Sequence, residues 1–190
     1  DFNHRGPLSW MPDSTRIVFT ASRLEDAEHH PVESELWSVS VADGEMRQLT
    51  DRTGPDRSAV VSTDGRKIAY LGYDDRKLAW QSVDVYVMDT ATGDSRNLTA
   101  GFDHSVVDVQ WAGSSNSLLV QYEDAGRTHI GRLSLDGKVE SLADDVGGTA
   151  IGRPYNSGSF SVAKNGAYAY TAVRPDRPAD QRRRRDPREV

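Results

Sequence analysis

"LWSVSVADGEMRQLT", residues 36–50, is answered 49 residues later by "VYVMDTATGDSRNLT", residues 85–99. Each opens on alternating side chains, so that every second residue can face a packed layer, as a half-buried strand requires. Each then turns at Ala42-Asp43-Gly44-Glu45 or Ala91-Thr92-Gly93-Asp94, with glycine where a tight hairpin needs positive φ. A short strand ending in Leu-Thr closes both. "IGRLSLDGKVESLA", residues 130–143, repeats the strand and turns at Gly137.

A second repeated unit precedes each of these. "WMPDSTRIVF" from Trp10, "VSTDGRKIAY" from Val61, "WAGSSNSLLV" from Trp111 and "SVAKNGAYAY" from Ser161 start at intervals of 51, 50 and 50 residues. Each is a polar turn followed by a short apolar strand, and the turn aspartates Asp13, Asp64, Asp43 and Asp136 recur because Asp caps its own turn. Only "SRLEDAEHH", residues 22–30, suggests as much as a single helical turn. Copies of this length with four short strands predict the blades of a β-propeller, in which each sheet has two apolar faces and buries them only against its neighbours.

The expected fold is therefore all-β: a partial propeller of about three and a half blades of four antiparallel strands, spanning residues 1–180. The blades cover roughly 8–50, 58–99 and 106–143, with a half blade at 158–173. Residues 181–190, "QRRRRDPREV", carry five Arg against one Asp and one Glu. Like charges repel, so this stretch is expected to be a disordered or non-native tail, with a nucleic-acid- or partner-binding arm as the other reading.

Composition narrows the function. Net charge is −6, which disfavours nonspecific binding to nucleic acid or to an anionic membrane surface. No apolar run approaches the roughly 18 residues of a membrane span. The chain has no cysteine, which removes disulfides, thiolate catalysis and Cys-ligated zinc. No cofactor is implied. The first residue is Asp, which reads as a processed or truncated start and leaves cytoplasm and periplasm both open.

The repeats resemble those of TolB-like propellers. The stretches "TGPDRSAVVSTDGRKIAYLGYDDRKLAWQSVDVYVMD", "FDHSVVDVQWAGSSNSLLVQYEDAGRTHIGRLSLDG" and "GSFSVAKNGAYAYTAVRPDRPAD" resemble the N-terminal propeller of prolyl oligopeptidase family serine peptidases, in the acylaminoacyl-peptidase and dipeptidyl-aminopeptidase-like branch. The resemblance runs from about Leu8 to Asp180. It implies a separate C-terminal α/β-hydrolase domain, with its nucleophile in a G-x-S-x-G elbow, and a propeller that admits short peptides while screening out folded proteins. "AGSSNS" and "NSGSFS" are the nearest approaches to that elbow here, and neither has glycine at both flanking positions. The alternative is a free-standing TolB-like module that binds protein partners. A propeller enzyme acting on glycans or lactones would need convergent carboxylates or a metal.

Within this frame the candidate substrate-binding residues are Glu25, Asp26 and Glu28 in the long loop of the first copy. The resemblance implies a pair of propeller glutamates that hold the substrate's amino group, although the residues around these three depart from that motif. An ammonium in a screened cavity needs such anionic acceptors. Other candidates read as structure. His29 and His30 are adjacent on an extended chain and point apart; Asp103-His104-Ser105 is a loop cluster rather than a triad; Asp74, Asp75 and Arg76 form a charge pair at a blade edge. Trp10, Trp37, Tyr86 and Trp111 are expected to fill the layer between blades, with Trp80 exposed. An unclosed propeller leaves one blade face and its strand edge open, and self-association through that side is expected.

Overall fold

The computed structural model describes residues 3–148, 158–174 and 177–185. They form fifteen strands and a single 3-10 turn, Ala27–His29, in the segment singled out for one. The chain makes two compact units, Asp1–Ala100 and Gly101–Val190.

The first unit holds two four-stranded antiparallel sheets. One is β1 (Asn3–Trp10), β2 (Arg16–Ser22), β3 (Glu35–Ser40) and β4 (Met46–Gln48), in that order; the other is β5 (Asp56–Val61), β6 (Lys67–Gly72), β7 (Asp84–Asp89) and β8 (Ser95–Asn97). The first sheet begins at Asn3, five residues before the start that the repeat predicts. The turns obey the sequence. Asp13, Asp43 and Asp64 each accept the amide proton two residues on, at 3.0–3.1 Å, and Gly44 and Gly93 take φ of 74° and 81°.

The two sheets meet face to face. Val18 and Leu36 of the first pack with Ala59, Ile68, Tyr70, Tyr86 and Met88 of the second, and the rings of Tyr70 and Tyr86 stack with centroids 5.4 Å apart. Burial follows from this. From Ile17 to Thr20 in β2 and from Glu35 to Val39 in β3 half-exposed and buried residues alternate, whereas β6 is buried on both faces from Ile68 to Gly72. Ile17, Phe19, Trp37 and Val39 of the first sheet hold the same places in the repeat as Ile68, Tyr70, Tyr86 and Met88 of the second. They remain half-exposed, beside Trp10 at 54%.

In the second unit β9 (Val106–Trp111), β10 (Ser117–Asp124), β11 (Arg127–Ser134) and β12 (Val139–Val146) form the third four-stranded set. Beyond it lie β13 (Phe160–Val162), β14 (Ala167–Arg174) and β15 (Arg177–Arg185). A single pair, Val146↔Ala172, links β12 to β14 and joins all of them into one sheet. The packing of the first unit is repeated: Leu119 and Ile130, which correspond to Val18 and Leu36, cluster with Phe160, Tyr168 and Tyr170.

The end of the chain departs from expectation. Residues 181–185, assigned from their charge to a tail, belong to β15 and pair with β14 from Gln181↔Thr171 to Arg185↔Ala167. The last set thus has three strands rather than two. The unpaired edge of β14 offers a row of backbone donors and acceptors, and Asp145 supplies a counter-charge, with Arg182 3.2 Å from its carboxylate. Residues 186–190 lie outside those described.

Candidate functional site

In the first unit the long β2–β3 loop and the start of β5 enclose a cavity of about 490 Å³. Thr20 and Ser22 line it from β2, Glu28 from the 3-10 turn, His30, Glu33 and Ser34 from the loop, Arg57 from β5 and Tyr73 from just beyond β6. The walls are stitched together through the backbone. The Asp56 amide donates to the Ser34 carbonyl at 2.7 Å, and Glu33 accepts the Gly54 amide proton at 3.0 Å. Gly54 has φ of +125°, and a Cβ there would sit 2.2 Å from the Tyr73 carbonyl oxygen. Only glycine lets the two segments approach so closely.

The sequence candidates separate on this geometry. Glu28 lines the cavity, and its carboxylate is 3.9 Å from His29 Nδ1. Asp26 lies 3.3 Å from His30 Nε2 and does not line the cavity; Glu25 is exposed and does not line it either. Glu33, Arg57 and Tyr73 are additions that the sequence reading did not pick out.

Behind the cavity Arg52 gathers three groups. It donates to both carboxylate oxygens of fully buried Asp56, donates to Asp74 at 2.6 Å, and lies 3.9 Å from the centre of the Tyr86 ring. Burial opposes the guanidinium charge, but the hydrogen bonds and charge of Asp56 outweigh it and hold the Arg52 pKa above its ordinary value. Burial pushes the Asp56 carboxyl upward, with Arg52 opposing. Nearby, Glu35 is raised to about 7, chiefly by burial, with Asp56, Glu33 and Asp51 adding like charge and the Thr50 hydroxyl opposing.

The other candidates take structural places. His104 packs edge-on to Phe102, with centroids 4.9 Å apart, in an aromatic group that also holds Tyr122 and His129. Asp75 accepts hydrogen bonds from the Lys77 amide, Lys77 Nζ and Gln81 Nε2, which hold it near 2 and pin the loop that exposes Trp80.

Comparison with known proteins places this fold. No family model matches the chain. A curated relative, Dipeptidyl-peptidase 5 of Porphyromonas gingivalis, is 24% identical over 139 residues, which cover 71% of this chain and 20% of the relative. The match therefore spans about a fifth of that protein's length. Among solved structures, a protein assigned as TolB from Agrobacterium tumefaciens superposes with a TM-score of 0.69 at 19% identity, covering 91% of this chain and 56% of that one. The β-propeller domain of the Trilobed protease from Pyrococcus furiosus, described as having an open velcro topology, matches with a TM-score of 0.59 at 16% identity, covering 95% of this chain and 53% of that one. The fold is that of TolB-like propellers and of peptidase propeller domains.

Proposed function

We propose that this chain is the non-catalytic propeller domain of a prolyl oligopeptidase-type serine peptidase, gating the access of short peptides to a separate α/β-hydrolase domain. One observation carries the reading: 95% of the chain matches the propeller domain of a protease in architecture. The sequence relationship to a dipeptidyl-peptidase supports it, as does the absence of a G-x-S-x-G elbow from these 190 residues. In this reading Glu28, joined by Glu33, accepts the amino group of a peptide entering the cavity. Glu25 and Asp26 contribute negative potential from outside it.

The test is the polypeptide that the gene encodes downstream of Asp180, together with the reactivity of this chain. A G-x-S-x-G elbow followed by Asp and His downstream, with no labelling of the isolated 190 residues by a fluorophosphonate, is the expected result. Labelling of the isolated chain, or a gene that ends in further repeats, contradicts it. The second outcome favours the rival reading, a TolB-like interaction module, to which the TM-score of 0.69 lends weight.

The open face of the first sheet bears on partners. Its half-exposed Ile17, Phe19, Trp37 and Val39 correspond to residues that are covered in the second sheet, so the isolated chain is expected to self-associate through that face. Light scattering should show a dimer; a monomer at all concentrations counts against this.

A further inference from the structure

The cavity described above contains a cation with no counter-ion among the described residues. Arg57 lines it, and among the described residues no carboxylate, carbonyl or aromatic ring pairs with its guanidinium. A β-bulge sets its direction: the register of β5 on β6 slips between Arg57 and Val60, and Ser58 takes a φ of 56°. Bulges of this kind re-aim a side chain at the cost of local pairing. Two hydroxyls complete the lining. Among the described residues Thr20 Oγ1 and Ser22 Oγ are both buried with no hydrogen-bond partner, and Thr20 is only 1% exposed. Buried polar groups are ordinarily paired, so such orphans mark a place where a ligand atom fits.

From the unpaired guanidinium and the two orphaned hydroxyls we infer that this cavity binds the carboxylate of an acidic peptide. The guanidinium offers two parallel N–H donors to its oxygens, and Thr20 and Ser22 donate their hydroxyl protons. Glu28 and Glu33 line the same space and repel a lone anion, while His30 is engaged by Asp26. The ligand therefore carries its own cation, an amino group on the glutamate side and an acidic side chain on the Arg57 side. The peptide part of this inference rests on the proposed function; the carboxylate part rests on Arg57 and the hydroxyls alone.

Calorimetric titration of the 190-residue chain with Ala-Glu-amide, Ala-Gln-amide and glutarate tests it, because the first two differ only in the acidic side chain. Ala-Glu-amide should bind about tenfold more tightly than Ala-Gln-amide. Arg57→Gln should abolish that preference without lowering the melting temperature, Arg57→Lys should retain part of it, and Thr20→Val should reduce it severalfold. Equal affinities for the two amides, or a preference that survives Arg57→Gln, overturn the carboxylate site while leaving the peptide reading standing. Glutarate held through Arg57 with neither amide bound upholds the anion site and overturns the peptide reading. Binding of none of the three overturns both.

Discussion

The hydroxyl of Thr99 accepts the amide proton of Val85 at 2.9 Å and donates its own proton to Asp84 at 2.7 Å. The first sheet has the same latch: Thr50 accepts from the Leu36 amide at 2.9 Å and donates to Glu35. This explains the recurrent Leu-Thr. The threonine replaces a ladder bond where the short outer strand ends, and the acidic residue that opens the third strand of the sheet accepts its proton.

Removing the latch leaves a buried amide without an acceptor. Thr99→Val should therefore destabilise the first unit by about 1–3 kcal/mol. Thr99→Ser, which keeps the hydroxyl, should recover most of that. Urea denaturation measures both.

Glu35 gives stability a pH dependence of unusual sign. Its carboxyl titrates near 7 when folded and near 4.5 when unfolded, so between these values the folded state binds more protons. Its contribution is fully present below about pH 4.5 and is lost as pH rises through about 7. Glu35→Gln, which mimics the protonated form, should flatten the decline in melting temperature across that window and raise stability at pH 8. A variant that declines as steeply as the parent contradicts the assignment.

Two glycines with positive φ should respond very differently to alanine. At Gly44 an added Cβ meets nothing within 4 Å, so Gly44→Ala should cost only the roughly 1–2 kcal/mol of the left-handed conformation. At Gly54 the same atom collides with the Tyr73 backbone. Gly54→Ala should exceed about 4 kcal/mol, or prevent folding, because the cavity walls must separate. Thermal unfolding of the two variants side by side reads the difference.

Much of this fold is legible in the chain itself. The Asp and Gly turns, the alternation in Leu36–Val41 and the intervals between repeats depend on neighbours in sequence, and they predict the strands well. β15 is not legible, because an arginine run looks self-repelling in isolation, and its pairing with the adjacent β14 draws on that strand's open edge and on Asp145 of β12, which is distant in sequence. The site is only partly legible. Glu28 stands out as one of several loop carboxylates, but nothing local sets it apart from Glu25. Arg57 is aimed by a bulge whose signature, a serine at positive φ, leaves no mark in the residue types.

In the first unit the face bearing Val18 and Leu36 covers the second sheet's Ile68 and Tyr70, while the first sheet's own equivalent face stays half-exposed. Ile17 and Ile68 occupy the same place in the repeat, yet Ile68 is 2% exposed and Ile17 is half-buried at the open face. Unfolding free energies of Ile17→Lys and Ile68→Lys, measured by urea denaturation in dilute solution, compare them directly. Ile68→Lys should cost more than about 4 kcal/mol, since it buries an unpaired charge, while Ile17→Lys should cost about 1 kcal/mol because its ammonium reaches water. Equal costs at the two positions, or a larger cost at Ile17, would contradict the stacking.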